Sequence, residues 1–257
     1  MRTADLLGDD GGLTFAHPLI RAAIYQNLRP LDHEARHAAA ARVLYERAAP
    51  PEQVAAQILL SGGRAAGWAL EQLQLAARSA MAVGSPLGPV GYLRGALELD
   101  AHPPDRGGLL TALGRAEALA GLAGAAGHLE EAVRVSKDPE ARTGAAIALA
   151  ELLRWTGDGL RAVEVLSALE PVAGDQRPND RAEIELLSAG MLSNRARERL
   201  GDRIGSLEDN GPARTERERF ELALVAFERI LANRPVGEIL EPIEHMPGWT
   251  FERPGTA

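Results

Sequence analysis

Apolar positions recur at helical spacing along most of the chain, and proline and glycine punctuate them. Leu19, Ala23, Ile24 and Leu28 lie on one face of a helix predicted to open at Pro18, where the missing proline N–H leaves nothing unsatisfied. Pro30 interrupts that pattern. Asp32 is placed to cap the following helix, whose apolar face carries Ala39, Val43 and Leu44 and which ends at Pro50-Pro51. The next helix is predicted from Glu52 to Leu60 and stops at Ser61-Gly62-Gly63. Ahead of these, Asp9 to Gly12 reads as a turn and Leu13-Thr14-Phe15 as a short strand.

From Trp68 the pattern repeats. Leu93, Leu129 and Val165 stand 36 residues apart, as do Ala96, Ala132 and Ala168, and Leu97, Val133 and Leu169. Ala77, Leu113 and Leu149 keep the same interval one helix earlier. Gly84, Gly121 and Gly157 fall between the two helices of each pair, at intervals of 37 and 36. The prediction is one helical hairpin used three times, with small residues for close approach and glycine for the tight turn. A single hairpin cannot cover its own apolar stripe, so neighbours must stack. The period is near that of tetratricopeptide repeats, but their usual Trp and Tyr positions are missing, so the repeats are TPR-like. After Pro171 the period fades. Asp175 to Asp180 reads as a loop, Arg181 to Leu200 as one long helix and Asp209 to Pro212 as a break. Thr215 to Ala232 and Val236 to His245 read as two more helices, and the tail beyond Pro247 as frayed.

Composition sharpens this. Hydrophobic residues make up 46% of the chain but aromatics only 4%, so Ala and Leu supply the apolar surface, which suits packed helices. The net charge of −8 argues against a free-standing nucleic-acid binder. There is no cysteine, which excludes disulfides, thiolate metal sites and cysteine nucleophiles. No apolar run is long enough to span a bilayer, and the first residues carry no signal-peptide pattern. A cytoplasmic location is the expectation.

The run Phe15-Ala16-His17-Pro18-Leu19-Ile20-Arg21-Ala22-Ala23-Ile24-Tyr25, followed by Arg36, His37, Ala38, Ala39 and Leu44, resembles the C-terminal edge of the signalling ATPase module of large ATP-binding regulators of the LuxR type. Gln53-Val54-Ala55-Ala56-Gln57-Ile58-Leu59-Leu60 is similar to the next helix of that family. Ala76-Ala77 through Gly84-Ser85-Pro86 to Tyr92-Leu93-Arg94-Gly95-Ala96-Leu97 resembles its first repeat. The likeness covers most of the chain and becomes generic after about Pro171. In that family an ATPase precedes a winged-helix segment, helical repeats and a C-terminal helix-turn-helix. The resemblance therefore implies a winged-helix remnant at 1–48 and a TPR-like repeat domain at 49–257, clearest over 68–170. It also implies that His17 senses the nucleotide phosphate in an intact parent. A phosphate-cradling loop needs Gly-x-x-x-x-Gly-Lys-(Ser/Thr), and the sole lysine, Lys137, is followed by Asp138. ATP hydrolysis by this chain alone is not expected.

Three further patterns carry candidate chemistry. His33-Glu34-Ala35-Arg36-His37 matches His-Glu-x-x-His, which on a helix sets two imidazoles on one face for zinc with the glutamate beside them. A third protein ligand is needed, and the extended motif's glycine and second histidine are Ala40 and Val43 here; Glu46 and Glu52 are the nearby carboxylates. Arg78, Arg115 and Arg154 fall at similar points of the three first-of-pair helices, where they would meet an acidic partner or ligand. Leu187 to Gly201 is similar to the first half of a LuxR-type helix-turn-helix, but the stretch that should form the recognition helix, Ser206 to Pro212, is acidic and broken.

The expectation is thus an all-α, TPR-like α-solenoid with a small N-terminal winged-helix remnant. Its role would be interaction and signal integration in an ATP-dependent LuxR-type regulator, without enzymatic activity or a cofactor of its own. Its partner would be a protein or small-molecule effector on the repeat surface, with no direct contact to nucleic acid or membrane; homo-oligomerisation stays open. The competing readings are a zinc-dependent hydrolase built on His33, Glu34 and His37, and a stand-alone TPR-like scaffold.

Overall fold

The computed structural model describes residues 17–246 apart from 65–66, 86, 101–102, 104, 170–179, 192 and 209–210. The described residues form helices and turns, with no strand among them. They fall into two compact units, 1–122 and 123–257.

The first unit carries α1 (Pro18–Gln26), α2 (Pro30–Glu46), α3 (Pro51–Leu59), α4 (Trp68–Ala82), α5 (Gly88–Leu99) and α6 (Arg106–Leu119). Proline opens α1, α2 and α3 at the first helical position, where its fixed φ is already helical. Pro30 therefore begins α2, and Asp32 sits inside the first turn, bonded by the Arg29 guanidinium at 2.9 Å, instead of serving as the cap. From α2 to α6 each helix packs on the next. Their contact residues are small: Ala41, Ala55, Ala69, Ala76, Ala77 and Ala96 are all buried. At Gly95 a Cβ would stand 2.2 Å from Leu59 Cδ2, so the Leu59 side chain of α3 lies directly against the bare backbone of α5. The domain boundary expected at 48/49 runs through this core, because Ala41 of α2 shares it with Val54, Ala55 and Ile58 of α3.

The second unit carries α7 (Ala125–Val135), α8 (Pro139–Trp155), α9 (Gly159–Ser167), α10 (Asp180–Met191), α11 (Asn194–Arg199), α12 (Gly201–Gly205), α13 (Glu216–Leu231) and α14 (Val236–Glu244). Asp138, Asp158, Ser193 and Thr215 cap α8, α9, α11 and α13 by accepting from backbone N–H groups of the first turn. Leu149, Leu153, Leu166, Leu186 and Leu187 form the centre of the core, and α8 packs on both α9 and α10. The boundary between units falls inside the second predicted pair, leaving α6 in one and α7 in the other.

The single long helix expected over 181–200 is broken. Its apolar residues Ala189, Ala196 and Leu200, with Ile204 just beyond, do keep one helical face, but Ser193 accepts from the Ala196 N–H and starts a new helix. Gly190 admits the fold-back: a Cβ there would meet Leu200 Cδ1 at 2.9 Å. The strand expected at Leu13-Thr14-Phe15, the turn before it and the tail beyond Pro247 lie outside the described residues, as does the loop expected ahead of Asp180.

The periodic glycines end α4, α6 and α8 in one and the same way. Gly84, Gly121 and Gly157 take φ of 72°, 67° and 87°. The next N–H in each case donates back to the carbonyl five residues earlier: Ser85 to Ala80 at 2.9 Å, Leu122 to Glu117 at 2.8 Å and Asp158 to Leu153 at 2.8 Å. A Cβ at any of these glycines would meet nothing within 4 Å, so the requirement is conformational, not steric. Ala48 and Asn233 close α2 and α13 in the same manner at φ 50° and 53°. Alanine pays for that conformation by roughly 1 kcal/mol relative to glycine. Gly157→Ala should lower the unfolding free energy by about 1 kcal/mol and Ala48→Gly should raise it by a similar amount. Equilibrium urea unfolding measures both, and a change of the same sign in the two variants would refute the argument.

Candidate functional site

Two of the three histidines of the N-terminal stretch, His33 and His37, converge on Tyr25. His17 caps α1, with Nδ1 accepting from the Leu19 N–H at 3.1 Å. One turn into α2, His33 Nε2–H donates to the Tyr25 carbonyl at 2.6 Å, and its ring meets the tyrosine ring edge-on at 4.1 Å between centroids. His37 Nδ1–H donates to Gln57 Oε1 of α3 at 2.7 Å, so Nε2 accepts from the Tyr25 hydroxyl at 2.9 Å. The helical spacing of four is what brings both rings to the same side of α2, facing α1.

This geometry does not fit a catalytic zinc. The His37 Nε2 lone pair is occupied by the Tyr25 hydroxyl, and the His33 Nε2 carries the proton that the Tyr25 carbonyl requires. The Glu34 carboxylate, which would activate water, is held by Arg64 at 3.0 Å and lies so close over Gly62 that a Cβ there would sit 2.5 Å from Glu34 Cδ. Among the described residues no three His, Cys, Asp or Glu side chains are grouped to hold a metal ion. The His-x-x-x-His spacing instead ties α1 to α2 and α3.

The three arginines are not equivalent. Arg78 and Arg115 stand six residues before the left-handed glycines of α4 and α6 and are exposed, while Arg154 stands three before Gly157. The residue in register with them on α8 is Glu151, which receives Arg181 of α10 at 2.7 Å. Arg154 is mostly buried between Glu185 of α10, 3.4 Å away, and the Trp155 ring, whose centroid lies 5.6 Å from the guanidinium carbon. Arg154 Nε and Glu185 Oε2 are both buried without a hydrogen-bond partner in this pair. Burial pushes the Glu185 carboxyl above its ordinary range; Arg154 opposes the shift and Glu151 adds to it.

Two buried carboxylates escaped the sequence reading. Glu117 is fully buried on α6 and accepts from Arg94 of α5 at 2.6 Å. It stands four residues before Gly121, where the matching positions on α4 and α8 are the apolar Ala80 and Leu153. Alignment of the repeats on their glycines would have exposed it. Glu183 of α10, 3% exposed, accepts from Arg203 of α12 at 2.8 Å. The stretch 187–201, similar in sequence to half of a helix-turn-helix, spends Leu187, Ala189 and Ala196 in the core and is followed by the five-residue α12.

No family model, curated protein or solved structure matches this chain.

Three outcomes follow from these geometries. Tyr25→Phe and His37→Ala should each lower stability by about 0.5–1 kcal/mol, and together by less than their sum, because both remove one hydrogen bond. Strict additivity in a double-mutant cycle would disprove the link. For Glu185, a folded-state pKa above the ordinary 4.5 means that the folded chain holds the proton longer than the unfolded chain. Stability then falls as pH rises from 4.5 through the raised value, and Glu185→Gln should flatten that slope. Glu218, held low by the backbone N–H groups of Arg214 and Thr215, acts oppositely: its contribution is lost as pH falls below 4.5, and Glu218→Gln should flatten the acid limb. Thermal melts across pH 3–8 read both slopes.

Proposed function

We propose that this chain is the interaction and signal-integration region of an ATP-dependent LuxR-type transcriptional regulator, with its helical hairpins stacked as a TPR-like solenoid behind a winged-helix remnant. The reading rests on residues of the resemblance that also have a local structural purpose. His17 caps α1, and Tyr25 and His37 are bonded to each other and through His37 to Gln57. The glycine of the first repeat, Gly84, recurs in the same left-handed turn at Gly121 and Gly157. The chain acts by presenting surface rather than by chemistry. Its effector, a protein or small molecule, binds the repeats and biases the parent ATPase between closed and open forms through its differential affinity for the two. His17 senses the nucleotide phosphate only in such a parent. Arg78 and Arg115, exposed on α4 and α6, serve the effector surface, whereas Arg154 is spent on Glu185 and Trp155.

The test is deletion of codons 68–170, in frame, in the source cell, with transcript profiling and a parallel assay of the purified chain. The reading expects a discrete set of transcripts to change, and no hydrolysis of ATP by the chain alone. An unchanged transcript profile would refute the regulatory role and leave a stand-alone scaffold. About one zinc per chain, lost in His33→Ala/His37→Ala, would reinstate the hydrolase.

A further inference from the structure

The second unit contains a cleft of about 670 Å³ between α12, α13 and α14. Its volume lies within the range of small-molecule sites, roughly 300–1,000 Å³. Ile204, Leu207 and Val225 supply an apolar floor, and charged side chains form the rim.

The rim charges can be accounted for one by one. Glu228 is held by Arg197 of α11. Arg229 is consumed by α14: Pro242 lacks an N–H to give the Glu238 carbonyl, and the Arg229 guanidinium donates to that oxygen in its place. The same guanidinium holds Glu241 at 3.0 Å. Glu208 and His245 already interact with other groups. Arg234 is different. The left-handed Asn233 ends α13 and turns the chain so that Arg234 lines the cleft, anchored by its own N–H on the Arg229 carbonyl at 2.9 Å. Its side chain is exposed and takes part in no ion pair among the described residues. The cleft thus combines an apolar floor with one uncommitted cation at its lip.

We propose that this cleft binds a small organic anion, an apolar body of ring or chain type bearing one carboxylate. The body lies on Ile204, Leu207 and Val225, and the carboxylate accepts from the Arg234 guanidinium, whose forked donors match its two oxygens. The paired carboxylates of the rim, Glu228 and Glu241, stay with their arginines and disfavour ligands of higher negative charge. The inference stands apart from the regulatory reading, since it requires only the second unit's own geometry.

The experiment titrates the full chain with 4-phenylbutyrate and with its neutral amide, following side-chain methyl resonances by NMR. The carboxylate should shift the methyls of Ile204, Leu207 and Val225 and should bind about tenfold more tightly than the amide. Arg234→Gln should bring the carboxylate down to the affinity of the amide while its unliganded methyl spectrum stays that of the folded chain. Absence of shifts at these methyls up to millimolar probe would overturn the proposal. So would equal binding of acid and amide, or undiminished carboxylate binding by Arg234→Gln. A regulator that fails transcript profiling leaves all three NMR outcomes readable, so the two proposals fail separately.

Discussion

With few aromatic side chains, this chain makes its core from Ala and Leu, and that works only if helix backbones come very close together. The buried alanines of α2 to α5 are the contact residues of such packing, and three glycines mark its tightest points. Gly95 lets α5 pass Leu59, Gly190 admits Leu200, and Gly159 lies where a Cβ would meet the Ala189 carbonyl at 3.0 Å. At Gly159 the neighbour is backbone, so a larger residue there presses α9 away from α10, and dispersion contacts fall off steeply with separation. Close packing in turn demands short connections. The left-handed residues after α2, α4, α6, α8 and α13 supply them by reversing the chain within two residues while satisfying the last carbonyls.

Polar groups fill the places that small apolar residues cannot. Between helices the chain repeatedly places one arginine against one glutamate: Arg94 on Glu117 joins the consecutive α5 and α6, while Arg181 on Glu151, Arg203 on Glu183 and Arg197 on Glu228 each reach to the next helix but one. These pairs differ in worth. The exposed ones add little, while a fully buried carboxylate such as Glu117 would leave a large desolvation penalty if its partners were removed. They therefore specify which helix faces meet more than they add stability. The same logic explains Arg229, which completes the hydrogen bonding of a helix that proline has interrupted.

The consequence for function is that most charged groups are already committed. The histidine pair of α2 is bonded to Tyr25 and Gln57, and Glu34 is held by Arg64, so a motif that suggests metal chemistry acts here as a clasp among three helices. Arg154 is likewise turned inward. Among the described residues the exposed arginines outside any ion pair include Arg36, Arg47 and Arg78 on the first unit and Arg195, Arg199 and Arg234 on the second, of which Arg234 lines the cleft.

The sequence by itself determined that the chain is helical, roughly where α1 to α3, α13 and α14 lie, and which glycines carry the turns. Those properties are local: apolar spacing, proline at the first position, and a left-handed requirement that only a few residues meet without strain. Tertiary structure decided the rest. Ala189, Ala196, Leu200 and Ile204 keep one helical phase whether the helix is continuous or broken, so periodicity could not reveal the break at Ser193. The fit of α2 against α3 and the burial of Glu117 depend on which faces meet across the fold. So does the commitment of His37 Nε2 to Tyr25, a residue twelve positions away on another helix. The composition and spacing of a motif state which atoms are available to a ligand; only the packing of neighbouring helices decides whether those atoms are already taken.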